Sequence, residues 1–226
     1  MAAAKGSSRT RMIEATETLL RERGLAGAGI KSLVARSGAP IGSVYHFFPG
    51  GKTQLVAETL QIHSSRALRL FQQAFADDAT PLPSRLRALF RMAASGFDQA
   101  GADKSCAIAN VTLDLEPGDQ ELRDICRRSF DQWAADITGH VPGASDEIRR
   151  SFARMIVIAL EGAFIIARAE RSGSAFLTTG EWLARLAELP ALQPPEKSHA
   201  SSTADRRRGP RRLPRVSRPR SRANHD

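Results

Sequence analysis

Five histidines stand at positions 46, 63, 140, 199 and 225, and two cysteines at 106 and 126. No two histidines have the four-residue spacing of a helical metal pair, and the cysteines are twenty apart, with no CxxC and no histidine at ligand spacing. Neither a GxSxG elbow nor a phosphate-cradling glycine loop occurs, so no cofactor or metal is expected and an enzyme is the least supported class. The residues whose types combine usefully lie at 41–46, between Lys31 and Lys52. Tyr45 can donate its phenol to a phosphate, Ser43 can donate or accept, Gly42 lets a backbone come close, and Ile41 can touch a thymine methyl. With His46 they make a set suited to reading a DNA groove without bond chemistry.

Such a set must be carried on a rigid element. Helical spacing places Met12, Ile13, Thr16, Leu19 and Leu20 on one face of a first helix, for which Gly24 is a plausible cap. Two short segments follow, Ile30 to Ser37 ending at Gly38, and Ile41 to Phe47 stopped by Pro49, Gly50 and Gly51. Gly38 falls where the second helix must reverse, a site that favours positive φ. Leu33, Val34, Val44 and Phe48 can then face the first helix, which leaves Ile41, Gly42, Ser43, Tyr45, His46 and Phe47 presented outward. This is the spacing of a helix-turn-helix whose third helix enters a major groove. Periodicity and charge alone leave a second reading open, a three-helix core with a few exposed aromatics.

Helices are expected onward at about 52–76, 83–100, 104–115, 119–139, 145–171 and 175–189, which makes nine in an all-α chain with no strand. Charge is uneven across the 226 residues. Residues 1–52 carry a net +5, 53–194 carry −3, and 195–226 carry +7, within a total of +9. Basic ends on a mildly acidic body suggest a polyanion partner. The N-terminal residues show no secretory signal, and the thirteen residues between Arg154 and Arg168 are too few for a membrane span and contain Glu161. A reduced, cytoplasmic chain with no membrane partner is expected. Half of the twelve prolines lie from Pro190 to Pro219, with nine arginines from Arg206 to Arg222, so 191–226 reads as a disordered basic tail. That tail sustains a competing function, nonspecific nucleic-acid binding.

The run from Arg11 to Lys52, above all Ser-Val-Tyr-His-Phe-Phe-Pro-Gly-Gly-Lys at 43–52, resembles the DNA-binding domain of the TetR family of bacterial transcriptional regulators. Lys-Ser-Cys-Ala-Ile-Ala-Asn-Val-Thr-Leu-Asp-Leu-Glu at 104–116 and Leu-Glu-Gly-Ala-Phe-Ile-Ile-Ala-Arg at 160–168 are similar to the family's LmrA/YxaF-type branch. The resemblance implies a nine-helix architecture, with a helix-turn-helix domain at 8–52 and an effector-binding and dimerisation domain at 53–190. By position it implies DNA contacts from Lys31, Ile41, Gly42, Ser43, Tyr45, His46 and Lys52. Where the family usually has Thr or Ser opening the second helix, this chain has Ala28 and Gly29, and Ile41 stands where a Lys often begins the third.

The resemblance also implies an effector pocket among the middle helices, for which His63, Cys106 and Asn110 are the polar candidates and Phe97, Phe130, Trp133 and Met155 the walls. Core packing is the default for such aromatic stripes. The branch includes flavonoid-responsive repressors, so a small aromatic or hydrophobic effector is implied. The eighth helix is apolar over much of its circumference, a sign of a central or shared helix, and Trp182, Leu183, Leu186 and Leu189 stripe the ninth. The resemblance implies a homodimer interface from two copies of this pair, for which Phe152, Ile156, Leu160, Ala163, Phe164, Trp182 and Leu186 are the candidates. Glu161 is expected to pair with an arginine. The function implied is that of a ligand-responsive repressor, holding a double-stranded inverted-repeat operator as a dimer.

Overall fold

The computed structural model describes residues 7–143 and 145–193. Among these residues there are nine α-helices and no strand: α1 Ser8–Gly27, α2 Ile30–Ser37, α3 Ile41–Phe47, α4 Gly51–Ala74, α5 Leu82–Ala100, α6 Ala107–Leu113, α7 Gln120–Thr138, α8 Asp146–Glu170 and α9 Ser174–Leu186. A 3-10 turn, Pro190–Leu192, closes the described part and buries Leu192. Ordered packing therefore continues slightly past the expected start of the tail at 191, whose remaining residues lie outside the described ones.

Local chemistry explains the helix ends. The Ser7 hydroxyl accepts from the Thr10 N–H to start α1, and the Ser145 hydroxyl accepts from Ile148 N–H to start α8. Gly38 ends α2 at φ 62°, as its position in the turn requires. Gly24 does not terminate α1 but kinks it, at φ 66° and ψ −164°, and a short helical stretch continues to Gly27. A side chain there would collide with Asp114, so the kink and its neighbour are built together.

Met12, Leu19 and Leu20 of α1, Leu33 of α2, and Val44 and Phe48 in and beside α3 are buried, which fixes the short third helix from behind. The α4 helix runs unbroken through the expected domain boundary at 52/53 and packs against α1, α5, α6 and α7. The most extensive pairings in the body are α5 with α9 and α4 with α7, while α8 lies against both α7 and α9. No helix among the described residues is long and apolar enough to cross a membrane.

Candidate functional site

Two features are built on this frame, an exposed short helix and a cavity in the body. On α3, Val44 and Phe48 are fully buried, so residues between them must turn outward. Ile41 and Tyr45 are each 56% exposed, Gly42 and His46 are exposed, and Ser43 and Phe47 are half-buried. The His46 ring meets Phe47 edge-on, with centroids 4.8 Å apart. Lys31 is exposed on α2. Lys31 and the expected residues of α3 are thus exposed or half-buried, whereas Lys52 turns back, its Nζ donating to the Leu25 carbonyl at 3.0 Å. Lys52 is therefore engaged at the kinked end of α1 rather than held out for a phosphate. Arg9 pairs with Glu58 and sits over the Phe48 ring at 5.3 Å, which ties the start of α1 to α4.

The body holds a cavity of about 440 Å³. Its apolar walls include Phe71, Phe97, Trp133, Leu160 and Phe164, and its polar groups are Glu17, Arg21, His63, Arg66, Ser105, Cys106 and Glu161. The Trp133 indole N–H is already satisfied, donating to Ser64 O at 3.1 Å, which leaves its ring as wall. His63 links three helices. The Ala107 N–H at the start of α6 donates to Nε2 at 3.4 Å, so Nδ1 carries the proton and donates to Glu17 Oε1 of α1 at 2.9 Å. Arg66 completes the Glu17 partnership. Burial alone would raise the Glu17 pKa, but the hydrogen bonds from His63 and Arg66 and the Arg66 charge outweigh it and leave the carboxyl below its ordinary value.

Glu161 is the opposite case. Its Oε2 is buried with no hydrogen-bond partner, and burial raises its pKa to about 7, opposed only by a hydrogen bond with the Cys106 thiol. Burial, and then the Glu161 charge, push the Cys106 thiol well up, so the cysteine is a poor nucleophile. Among the described residues no arginine pairs with Glu161. Arg154 is spent on Asp131 at 3.0 Å and Arg168 donates to Glu22 O at 2.7 Å.

Four expected pocket residues, His63, Phe97, Cys106 and Trp133, line the cavity, and three do not. Asn110 lies on the face of α6 toward α1, where its Nδ2 donates to Leu20 O at 3.1 Å and Arg21 O at 2.8 Å. Phe130 stands outside the lining and packs edge-on against Trp133, and Met155 is exposed on α8. The expected interface needs a larger correction. Phe152, Ile156, Leu160 and Ala163 are buried inside the protomer, and Phe164 faces the cavity. Trp182, 60% exposed, and Leu186 are exposed, and the exposed large apolar residues of α8 are Met155, Ile158, Ile165 and Ile166. Periodicity could not separate two apolar stripes on one helix. Glu17, Arg21, Ser105 and Glu161 were not expected at the cavity, and only a carboxylate inside the apolar run of α8 hinted at any of them.

A second set of bonds joins the cavity wall to α1. Arg21 Nε donates to Ser105 O at 3.0 Å and Ser105 N–H returns a bond to Arg21 O at 3.0 Å. Asp114 accepts from the Ala26 N–H at 3.2 Å just past the kink.

Residues 12–59 match the model of bacterial regulatory proteins of the tetR family, and residues 84–181 match the C-terminal domain of LmrA/YxaF-like transcriptional regulators. An uncharacterised HTH-type transcriptional regulator of Mycobacterium tuberculosis H37Rv is 32% identical over 174 residues, covering 72% of this chain and 85% of its own length. The HTH-type transcriptional regulator LmrA of Bacillus subtilis is 25% identical, over 76% of this chain and 92% of its own. Among solved structures, a regulatory protein TetR from Rhodobacter sphaeroides superposes with a TM-score of 0.71 at 22% identity, covering 80% of this chain and 98% of that one. This chain accordingly belongs to the TetR family, within its LmrA/YxaF-like branch, and is a DNA-binding transcriptional regulator.

Proposed function

We propose that the protein is a ligand-responsive repressor that binds an inverted-repeat operator as a homodimer and releases it when a small aromatic ligand occupies the cavity. In this reading Ile41, Gly42, Ser43, Tyr45 and His46 meet base edges and phosphates, and Lys31 adds a phosphate contact. Two copies of α3 would address half-sites about 34–36 Å apart or a multiple of that. The copies would join through the outer face of α8 and α9, where Ile158, Ile165, Ile166 and Trp182 are each exposed. Large apolar side chains left exposed on neighbouring helices mark an association site.

The observation that carries the reading is the bonding of the cavity wall to α1, the helix against which the reading unit packs. Glu17 and Arg21 of α1 are held by His63 of α4 and by Ser105 just before α6. A ligand that displaces His63 or Ser105 would change the seat of α1 and α4, and with it the spacing of the two α3 helices. A coupling of about 1–3 kcal/mol would lower operator affinity roughly 5- to 150-fold.

The test is fluorescence anisotropy with a duplex taken from beside the gene, titrated with and without aromatic compounds that calorimetry has shown to bind the protein. Release within that range supports the reading. Compounds that bind the cavity and leave operator affinity unchanged overturn it.

A further inference from the structure

We infer that the cavity is built for a flat aromatic cation, whose protonated nitrogen pairs with Glu161 while its ring lies among Phe71, Phe97, Trp133 and Phe164. The inference rests on the reading of the cavity as the effector site and specifies the ligand's charge.

The charged groups at the cavity come from three places in the chain. Helix α1 supplies Glu17 and Arg21, α4 supplies His63 and Arg66, and α8 supplies Glu161; Cys106 is the remaining titratable neighbour, while the lining residues of α5 and α7 are uncharged. Glu17 is satisfied by His63 and Arg66, and Arg21 is bonded to Ser105. Among the described residues, Glu161 Oε2 is the cavity's one buried side-chain polar atom without a hydrogen-bond partner. A buried carboxylate with a thiol as its sole hydrogen-bond partner and one bare oxygen is costly, and a cation supplied by a ligand reduces that cost. Aromatic walls favour the same ligand, since their ring faces attract cations. A neutral phenol could donate to the same oxygen but would leave its charge uncompensated.

The groups also set a direction with pH. Glu161 ionises near 7, so a cation must displace a proton below that value and meets a ready carboxylate above it. Affinity for a permanently charged ligand should therefore rise from pH 6 to pH 8.

Three tricyclic probes of one shape test this on the full chain by titration calorimetry: 9-aminoacridine as the cation, acridine as the neutral body and anthracene-9-carboxylate as the anion. The expected order at pH 7.5 is cation, neutral, anion, with the cation at least tenfold tighter than acridine. Glu161→Gln should bring that advantage below threefold, leave the acridine affinity within twofold, and flatten the pH profile. Glu161→Asp, which keeps the charge, should retain the preference and guards against a folding defect in the first variant. Gly96→Trp places an indole at the cavity lining, where a Cβ meets open space, and should weaken every probe at least tenfold. If acridine binds as tightly as the cation and Gly96→Trp blocks both, the charge assignment fails while the cavity reading stands. If no probe binds, or Gly96→Trp changes nothing, both fail.

Discussion

The helices α3 and α8 solve different problems with the same apolar residue types. In α3, seven residues long, one face is covered by the protomer and the other carries a single large aliphatic, Ile41, beside Tyr45 and His46. In α8, twenty-five residues long, the inner stripe of Phe152, Ile156, Leu160 and Ala163 and the outer stripe of Met155, Ile158, Ile165 and Ile166 are equally apolar. Among the described residues the outer stripe stays 37% to 65% exposed. A helix with one apolar face declares what it packs against, whereas the second apolar face of α8 is the basis of the proposed homodimer.

The difference between the two stripes of α8 can be broken by mutation, and the largest effect is expected inside. Ile156→Ala removes fully buried atoms and should cost about 2–4 kcal/mol in urea unfolding at fixed protein concentration. A loss below about 1 kcal/mol would place this stripe at a surface. On the outer face, Ile165→Glu with Trp182→Arg should leave the helical circular dichroism intact and convert the dimer to monomer in sedimentation velocity. Operator affinity should then fall about 100-fold, near 2.7 kcal/mol. An unchanged sedimentation coefficient would move the interface elsewhere.

Between the stripes sits Glu161, which gives a smaller and pH-dependent effect. Its pKa is raised in the folded chain to about 7, so its favourable contribution is complete below the unfolded carboxylate range and is lost as pH rises through 7. Glu161→Gln should stabilise the unliganded protein by about 1–2 kcal/mol at pH 8 and by almost nothing at pH 5. Equal effects at both values would mean the carboxylate is not buried alone. The smallest effect belongs to α3. Tyr45→Phe should weaken duplex binding by about 3- to 10-fold, alike for operator and random DNA, with unfolding unchanged, because a phosphate contact carries no sequence information. A changed sequence preference would assign the phenol to a base instead.

How much of this was legible in the sequence follows the same division. The reading unit was legible almost residue by residue, since Gly38, Pro49 and the alternation around Val44 and Phe48 are local signals. Nine helices were legible for the same reason, and α7, expected over 119–139, spans Gln120–Thr138. The expected α6, over 104–115, is shorter, Ala107–Leu113, because Ser105 is bonded through its main chain to Arg21, eighty-four residues away. No local pattern encodes that partner. Asn110 and Lys52 were misplaced by the same cause, for both are drawn to the carbonyls around the kink at Gly24. Half of the cavity's chemistry was hidden because it depends on which arginines find other partners first. Arg154 and Arg168 lie seven residues to either side of Glu161 in sequence, and only the fold shows them engaged with Asp131 and Glu22.

Selection of bound duplexes from a random pool by the purified full chain tests the central claim, that two copies of α3 joined through the outer face of α8 and α9 read DNA as a symmetric pair. Convergence is expected on an inverted repeat whose half-site centres lie one helical turn, or a multiple of it, apart. A pool that shows no preference, or that converges on a lone half-site or a direct repeat, would contradict it.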